Sequence, residues 1–543
     1  MMSFESLKEN FRFLIIEVEG QVKLTSRLLE ACQVDLLEKI ISKDDYIDNL
    51  KSVVENKCFS RLTQNSTVTQ EDLNVARSIH TMTVNLERIG DFCVNIARQT
   101  GYLSSIDIIH HLGYRDMIEI IETTLAGVMP VFQSRDFSGA LDICRSEYHL
   151  DEMFKARFDD IMNSLRQGKD IENLLTALFI FRYLERIGDA LLNIGEALLF
   201  AIRGEKLKIE QYETLRETLS GSQLKATFPE LRLSSILGSR SGCRINRIQP
   251  KHGNQIQGVF KEGNKKKIRL EYLNMQQWEA IYPGLVPKIH GYHENNGSAA
   301  VIVEYISGLT LDEIILGSEE DTLKACLASL TKTLHALWHQ TLRSGPFITD
   351  YTKQLSKRIN SVIQVHPTYE RPEKSMGGLM IPSSTRLIEV CARIEKDVPA
   401  PCHVFIHGDF NVNNVFYDAR TGAVRYIDLY RSRFADYVQD ASVFLISNYR
   451  LPFFGAEVRG RLNRVIQEFL DFFKKFSMEI DDKAFEARMA LALVRSFYTS
   501  TRFELNRSFS RRMFLSAHFL MESLVSYRGN WEKFKFPRKV LFY

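Results

Sequence analysis

Two sets of residues in this 543-residue chain have types and spacings that could do chemistry. The first is the string LERIGD, at residues 86–91 and again at residues 184–189. Each copy sets a Glu four residues ahead of an Asp, as Glu87/Asp91 and Glu185/Asp189. At helical pitch these groups fall along one face. Like charges at that spacing repel by roughly 0.2–0.5 kcal/mol, so an apolar bundle face would not ordinarily accept the pattern twice. Gly90 and Gly188, at about 1 kcal/mol each against alanine in a helix interior, leave room for a neighbouring helix or an ion. Upstream, Asp44/Asp48 and Glu147/Asp151 repeat the acidic i, i+4 spacing. Each copy therefore offers two acidic pairs on two helices. Facing carboxylates inside a bundle hold hard metal ions. With no His at this i, i+4 spacing, ligation would be through oxygen, which favours magnesium, calcium, manganese or iron over zinc or copper. Glu–Arg–Asp sets also make plain salt-bridge seams between helices, and spacing alone leaves both readings open.

The second set lies in HGDFNVNN, residues 407–414. Asn414 stands five residues after Asp409, and Asp428 fourteen residues further on, at the end of a predicted strand. HGD alone is a weak signal. HGD with Asn414 at this spacing, then a hairpin, then Ile427-Asp428 is a specific one. It resembles the H-R-D-x-x-x-x-N motif of protein kinases. The resemblance implies that Asp409 meets an acceptor hydroxyl while Asn414 and Asp428 hold magnesium, the minimal set for moving a γ-phosphate. Gly408 replaces the motif's Arg, which favours a small-molecule kinase over a protein kinase.

The elements that must position these residues differ between the two halves. Residues 1–220 contain a single proline, Pro130, and long runs of helical periodicity, as in Leu174, Leu175, Leu178 and Phe179 followed by Leu184 and Ile187. They predict an antiparallel helical bundle. From about residue 230 prolines and glycines rise. RINRIQPKHGNQIQGVFK predicts a hairpin, AAVIVEYISG a buried strand, and the segment from His403 to Tyr430 strands joined by a Thr-Gly turn. Helices return beyond residue 441. Residues 221–230 are the expected linker.

Bulk properties bound the rest. The chain is 45% hydrophobic and 25% charged, with a net charge of +3, too balanced for nucleic acid or an anionic membrane as the main partner. Its eight cysteines stand singly without a CxxC pair, which argues against a zinc or thioredoxin-type motif and for reduced thiols in the cytoplasm. The N-terminus does not read as a signal peptide, and no apolar run is long enough for a membrane span.

The repeated ERIGD-x-x-x-N-I resembles the PhoU family of phosphate-signalling regulators over roughly residues 5–215, as two three-helix repeats at about 1–105 and 106–220. The resemblance implies metal binding through Glu87, Asp91, Glu185 and Asp189, then Asp44, Asp48, Glu147 and Asp151, and contact with a phosphate transporter or signalling partner. Residues 231–450 resemble the aminoglycoside phosphotransferase and choline kinase family, the remainder following loosely as C-lobe helices. Asp428, Asp436 and Asp440 match that family's D-x7-D-x3-D. The resemblance implies an α+β kinase-like domain at 231–543, with an N-lobe to about residue 306 and a C-lobe beyond, using ATP and magnesium. Ser239, Ser241 and Gly242 in LGSRSG would form the phosphate loop, although a plain turn fits as well. Lys261 would anchor the ATP phosphates, with Glu271, opening the next helix, as its partner. Lys265, Lys266 and Lys267 read as solvated rivals after a Gly-Asn turn. Glu304 and Ile306 would offer backbone groups to adenine. His335 and His339 read as structural. Leu429-Tyr430 and Ala435-Asp436-Tyr437 depart from the family's usual residues on the acceptor side, so a typical aminoglycoside or choline acceptor is not implied.

The expected whole is an all-α bundle of two three-helix repeats followed by a two-lobed α+β kinase-like domain. The expected function is ATP- and magnesium-dependent phosphoryl transfer to a hydroxyl of a small molecule, regulated by the bundle. The other expectation is a nucleotide-sensing regulator that transfers nothing and recruits a transport or signalling partner. A homodimer is a further expectation.

Overall fold

A computed structural model describes the chain apart from residues 1–3, 32, 65–68, 169, 205–207, 223–230, 236–242, 251–257 and 296. Most of the expected linker therefore lies outside the described residues. The chain divides into two compact units, Met1–Arg216 with Arg232–Ser235, and Glu217–Leu231 with Ile236–Tyr543.

The first unit is helical, as the periodicity predicts. Helices α1 (Phe4–Ala31), α2 (Val34–Gln64) and α3 (Gln70–Thr100) pack on one another. After the short α4 (Asp107–His111), helices α5 (Tyr114–Ser134), α6 (Phe137–Leu165) and α7 (Ile171–Arg203) repeat the arrangement, and α8 (Ile209–Ser220) follows. Local sequence explains the ends of the two LERIGD helices. Thr69 and Asp72 close a reciprocal capping box at the start of α3, which satisfies two orphan N–H groups. Gly204, at φ +74°, takes the left-handed position that ends α7. Along α3 the buried residues Ile79, Met82, Leu86, Ile89, Cys93 and Ile96 recur three or four apart, the stripe a helix buries. Helices α3 and α7 lie against each other, with Phe92 and Tyr183 stacked at 6.2 Å.

The second unit carries an antiparallel sheet whose strands follow β1 (Leu231–Ser235) in the chain. Its strands β2 (Arg244–Pro250), β3 (Gly258–Asn264), β4 (Ile289–Glu294) and β5 (Ser298–Val303) lie in the order β2–β3–β5–β4. The β2–β3 pair runs from Arg244 opposite Glu262 to Ile248 opposite Gly258, as the hairpin reading expects, with its turn outside the described residues. Helix α9 (Lys265–Ile281) packs on this sheet. One detail corrects the sequence reading. Asn264 caps α9 by accepting from the Lys267 N–H, so Lys265–Lys267 form the helix's first turn, and Glu271 lies within the helix instead of opening it. An Asn cap starts a helix even where basic residues oppose the macrodipole.

The larger part of this unit is mostly helical. It runs through β6 (Leu309–Thr310), α10 (Leu311–Gly317), α11 (Glu320–Thr341), β7 (Arg343–Phe347), α12 (Tyr351–Val365), β8 (Lys374–Met376), β9 (Leu379–Ile381) and α13 (Ser384–Asp397). Strands β10 (Ala400–Ile406), β11 (Val415–Asp418), β12 (Ala423–Tyr426) and β13 (Arg433–Ala435) follow, then helices α14 (Val438–Tyr449), α15 (Ala456–Glu479), α16 (Phe485–Ser500) and α17 (Arg507–Ser526). A continuous core of Trp338, Phe444, Phe473, Leu491 and Met521 joins the helices to β10 and β12. Strand β10 pairs with β13, Ile406 opposite Arg433. Strands β11 and β12 form the predicted hairpin, Val415 opposite Tyr426. These pairings bring the loop after β10 beside the segment after β12, which carries Asp428. Among the described residues no helix is long and apolar enough to cross a membrane, and the seven described cysteines are in no disulfide and are buried.

Candidate active site

The loop after β10 is held by buried polar groups. Gly408 adopts φ +80°, a conformation that costs other residues energy. A Cβ there would lie 2.2 Å from the Arg431 carbonyl oxygen. The glycine at the kinase-motif Arg position is thus required by backbone approach. Below the loop, fully buried Asp440 accepts the N–H groups of His407 at 2.7 Å and Gly408 at 2.8 Å. Burial pushes the Asp440 carboxyl up to about 7, against the pull of those two bonds. His407 donates from Nε2 to the Ile427 carbonyl at 3.0 Å, while its Nδ1 accepts the Asp409 N–H at 3.3 Å. Burial holds this imidazole below its ordinary value, consistent with the neutral tautomer those bonds need. Asn414 Nδ2 donates to the Asp409 carbonyl at 2.9 Å, and Ile427 N–H donates to the Asn414 carbonyl at 3.1 Å. Asp409, Asn414 and the Ile427-Asp428 segment are therefore tied by one side-chain and one backbone hydrogen bond.

Lys261, 8% exposed on β3, reaches across to the same segment. Its Nζ lies 2.7 Å from Glu271 of α9 and 2.8 Å from Asp428 Oδ1. Burial opposes the ammonium charge, but the two carboxylates override it and raise the lysine above its ordinary range. Asp428 moves below the ordinary carboxylate range: burial opposes the shift and the Lys261 charge drives it. Asp428 itself sits at φ +62°, a strained position for a non-glycine residue. Helix α9 fixes the following turn: Asn274 donates to the Leu429 carbonyl at 2.7 Å and Trp278 to Ser432 Oγ at 2.9 Å. The Asn414 amide oxygen and Asp428 Oδ2 accept no hydrogen bond among the described residues. Such hard oxygen donors fit magnesium.

The remaining expected residues fall in several places. Ser239, Ser241 and Gly242 lie outside the described residues. Glu304 spends its N–H on the Lys288 carbonyl at 2.8 Å and its carboxylate on Arg425 at 3.0 Å, which leaves its carbonyl for a ligand. The backbone of Ile306 makes no hydrogen bond among the described residues. Asp436 and Asp440 do not join Asp428 in one acidic patch. Asp436 is buried against Arg488 Nε at 2.9 Å and the Tyr351 hydroxyl at 2.9 Å. His335 and His339 both reach Glu479, at 2.8 and 3.3 Å, on the exposed surface.

Sequence reading passed over several neighbours of the site. Lys267 is not simply solvated: its ammonium lies 4.4 Å from the Tyr430 ring centre and adds to the field on Asp428. Arg431 Nη1 pairs with Asp409 Oδ2 at 3.1 Å. Only the nearness of Arg431 to Asp428 in sequence could have pointed to it.

In the first unit each acidic quartet lies on two helices that pack together, Asp44 and Asp48 on α2 with Glu87 and Asp91 on α3, and Glu147 and Asp151 on α6 with Glu185 and Asp189 on α7. Asp44 is pushed up to about 6, first by burial and then by Asp91, Asp48 and Glu87. Glu147 is raised by burial and then by Asp151, Asp189 and Glu185. A Cβ on Gly90 would meet Asp44 Oδ1 at 3.2 Å, so this glycine opens the space that carboxylate occupies. Part of each set is already paired: Glu87 with Lys51 at 2.8 Å, Glu185 with Arg182 at 2.7 Å and Asp189 with Arg186 at 3.1 Å. Glu185 Oε2 is buried without a hydrogen-bond partner. Mutual repulsion and this orphaned oxygen fit a hard cation. Among the described residues, however, only His335, His339 and Glu479 bring three donor atoms within 4.8 Å of one another, so the quartets would have to close up to chelate an ion.

Comparison with known proteins finds a likeness for each half. The family model for the PhoU domain matches residues 15–100 and 114–198, and that for the phosphotransferase enzyme family matches residues 267–470. The chain is 29% identical over 196 residues to a phosphate-specific transport system accessory protein PhoU homolog of Clostridium acetobutylicum, covering 35% of this chain and 88% of that protein. Among solved structures, PhoU from Streptococcus pneumoniae is similar at 25% identity and a TM-score of 0.35, over 38% of this chain and 97% of that one. A type VIII aminoglycoside-3'-phosphotransferase is similar at 19% identity and a TM-score of 0.32, over 50% of this chain and 94% of that one.

Proposed function

We propose that the second unit transfers the γ-phosphoryl group of ATP to a hydroxyl of a small molecule. The observation that carries this is Lys261, buried and bridging Glu271 and Asp428 beside the loop of Asp409 and Asn414. A phosphate-anchoring lysine, a metal-binding pair and an acceptor-facing carboxylate are the parts phosphoryl transfer needs. The match to the phosphotransferase enzyme family supports the same reading.

Asn414 and Asp428 would hold magnesium, which supplies charge neutralisation on the phosphate oxygens. Lys261 binds phosphate and is itself held by Glu271. Asp409 orients the acceptor hydroxyl and takes its proton as the new oxygen–phosphorus bond forms. The bond from the γ-phosphorus to its bridging oxygen breaks, and ADP leaves. Glu304 and Ile306 would receive adenine through backbone groups.

The first unit, in this reading, reports phosphate status or a transport-system partner to the kinase, with metal held by its acidic quartets. The two PhoU domain matches support it. A second reading, a nucleotide-sensing regulator that transfers nothing, draws on the Arg431–Asp409 ion pair, which occupies one oxygen of the acceptor-facing carboxylate. Labelled ATP with magnesium and a metabolite extract separates the two. Transfer by the wild type and not by Asp409→Ala establishes the kinase. Tight ATP binding without transfer establishes the regulator.

A further inference from the structure

The charges around Asp409 have the wrong sign for a cationic acceptor. Besides Arg431, which pairs with it, three arginines stand on elements packed behind this loop. Helix α16, carrying Arg495, packs on α14, whose Asp440 holds the loop. Helix α12, carrying Arg358, packs on α16 and on the turn Thr501–Phe503, which carries Arg502. Each of the three feels the Asp409 charge. Arg358, Arg495 and Arg502 form no ion pair among the described residues. Arg495 is only 5% exposed. Its Nε is buried with no hydrogen-bond partner, and its Nη2 reaches Ser442 Oγ only at 3.4 Å. Its guanidinium lies 5.7 Å from the Tyr351 ring centre. Buried charges are ordinarily paired, so this arginine lacks a counter-anion.

Nor does the fold supply that anion. Asp350 is paired with Arg433 at 3.2 Å. Asp436 is taken by Arg488 and Tyr351. Asp482 is taken by Arg488 and by the Tyr437 hydroxyl at 2.7 Å. Asp440 is spent on the loop backbone. The carboxylates that could have met a cationic acceptor are therefore internal, and the positive charge is left over. Burial, and then Arg431, also hold Arg358 below its ordinary value, against the pull of Asp409, the direction expected of a buried charge beside like charge.

We infer that the acceptor is an anionic hydroxyl compound, a small alcohol bearing a phosphate monoester or a carboxylate, gripped by Arg358, Arg431 and Arg495 beside Asp409. This rests on the phosphotransferase reading above. The planar fork of arginine suits either group. An acceptor anion would also draw Arg431 off Asp409, freeing that carboxylate to take the hydroxyl proton only when the right substrate is bound.

The test uses the full chain, magnesium and labelled ATP with a metabolite extract first split by anion exchange into an anionic pool and a neutral-plus-cationic pool. Label is expected to enter a compound of the anionic pool. For that compound, Arg358→Gln and Arg495→Gln are each expected to raise the acceptor KM by about 10- to 100-fold, the loss of one charged hydrogen bond. The KM for ATP should stay within about twofold and Arg495→Lys should restore part of the loss. A merely structural arginine would not split the two KM values. Arg358, being half-exposed, gives a folded variant if Arg495→Gln does not. Label in the neutral-plus-cationic pool overturns the inference. So does a rise in the ATP KM alone, which would place these arginines on the nucleotide. Label in neither pool refutes the phosphotransferase reading itself, and the acceptor class falls with it.

Discussion

Substituting Gly408 by alanine tests the geometry of the loop most directly. The position is at φ +80°, which costs an L-residue about 1–2 kcal/mol. The new Cβ would sit 2.2 Å from the Arg431 carbonyl oxygen and 2.8 Å from its carbon. Since carbon contacts settle near 3.5 Å, the two backbones must part by roughly 1 Å, an overpacking cost of about 1–3 kcal/mol. The sum is about 2–5 kcal/mol, or a fall of roughly 3–7 °C in the melting transition of a unit this large by calorimetry. The catalytic effect should be larger than the stability effect. Arg431 belongs to the turn that begins at Asp428, and Gly408 adjoins Asp409, so the parting falls between Asp409 and the segment that carries Asp428. A displacement of about 1 Å between reacting groups costs on the order of 100-fold. Single-turnover transfer below the melting transition should therefore slow about 100-fold, with ATP affinity changed only a few-fold. Gly408→Arg, which restores the protein-kinase residue, should fail in the same way. Wild-type transfer rates in either variant would refute the argument that backbone approach selects this glycine.

Asp409→Asn keeps the side chain's shape and removes the proton acceptor. Transfer should fall about 10²- to 10⁴-fold with ATP affinity unchanged, as read by rapid quench and equilibrium dialysis. Lys261→Met leaves Glu271 and Asp428 facing each other in a buried site, so it should cost about 3–5 kcal/mol of stability in a urea melt as well as ATP binding. Arg488→Met orphans Asp436 and Asp482 and should cost a similar amount, about 3–5 kcal/mol, by the same urea melt. In the first unit, native Asp44 keeps its proton to about pH 6, higher than the unfolded chain does. Its contribution is therefore most favourable below about pH 4 and is lost as pH rises towards 6. Discounted for solvent screening, the loss is about 1 kcal/mol. Asp44→Asn should remove this slope, and a divalent cation at pH 7.5 should restore the melting temperature of the wild type only.

What could be read from sequence divides along physical lines. The helices of the first unit follow from periodicity, because an amphipathic stripe recurs at each turn. The strands around the HGD loop follow from alternation and from the Thr421-Gly422 turn, where Gly422 takes φ +69°. The pairing of Lys261 with Glu271 was legible because strand and helix are adjacent in the chain. The start of α9 was not, since three lysines obscure the Asn264 cap. The fates of Asp436 and Asp440 were not legible either. Their spacing marks them as a set, but burial sends one to Arg488 and the other to the loop backbone. The arginines around Asp409 come from two helices and two turns distant in sequence, and no local pattern connects Arg358 to Arg495.

Both candidate sites share one physical feature. Each collects charge of one sign and leaves part of it unanswered by the fold. In the bundle it is carboxylate, raised by burial and by its own kind. Around Asp409 it is guanidinium, with Arg495 buried and unpaired. Stability alone would select against both, since an apolar residue of similar size in place of an unpaired buried charge is usually neutral or favourable. A compensating ion is the simplest reason to keep them, a cation in one unit and an acceptor anion in the other. Arg431 then becomes the residue to watch. Held on Asp409 it keeps the base masked, and transferred to an incoming anion it makes substrate charge a condition for turnover.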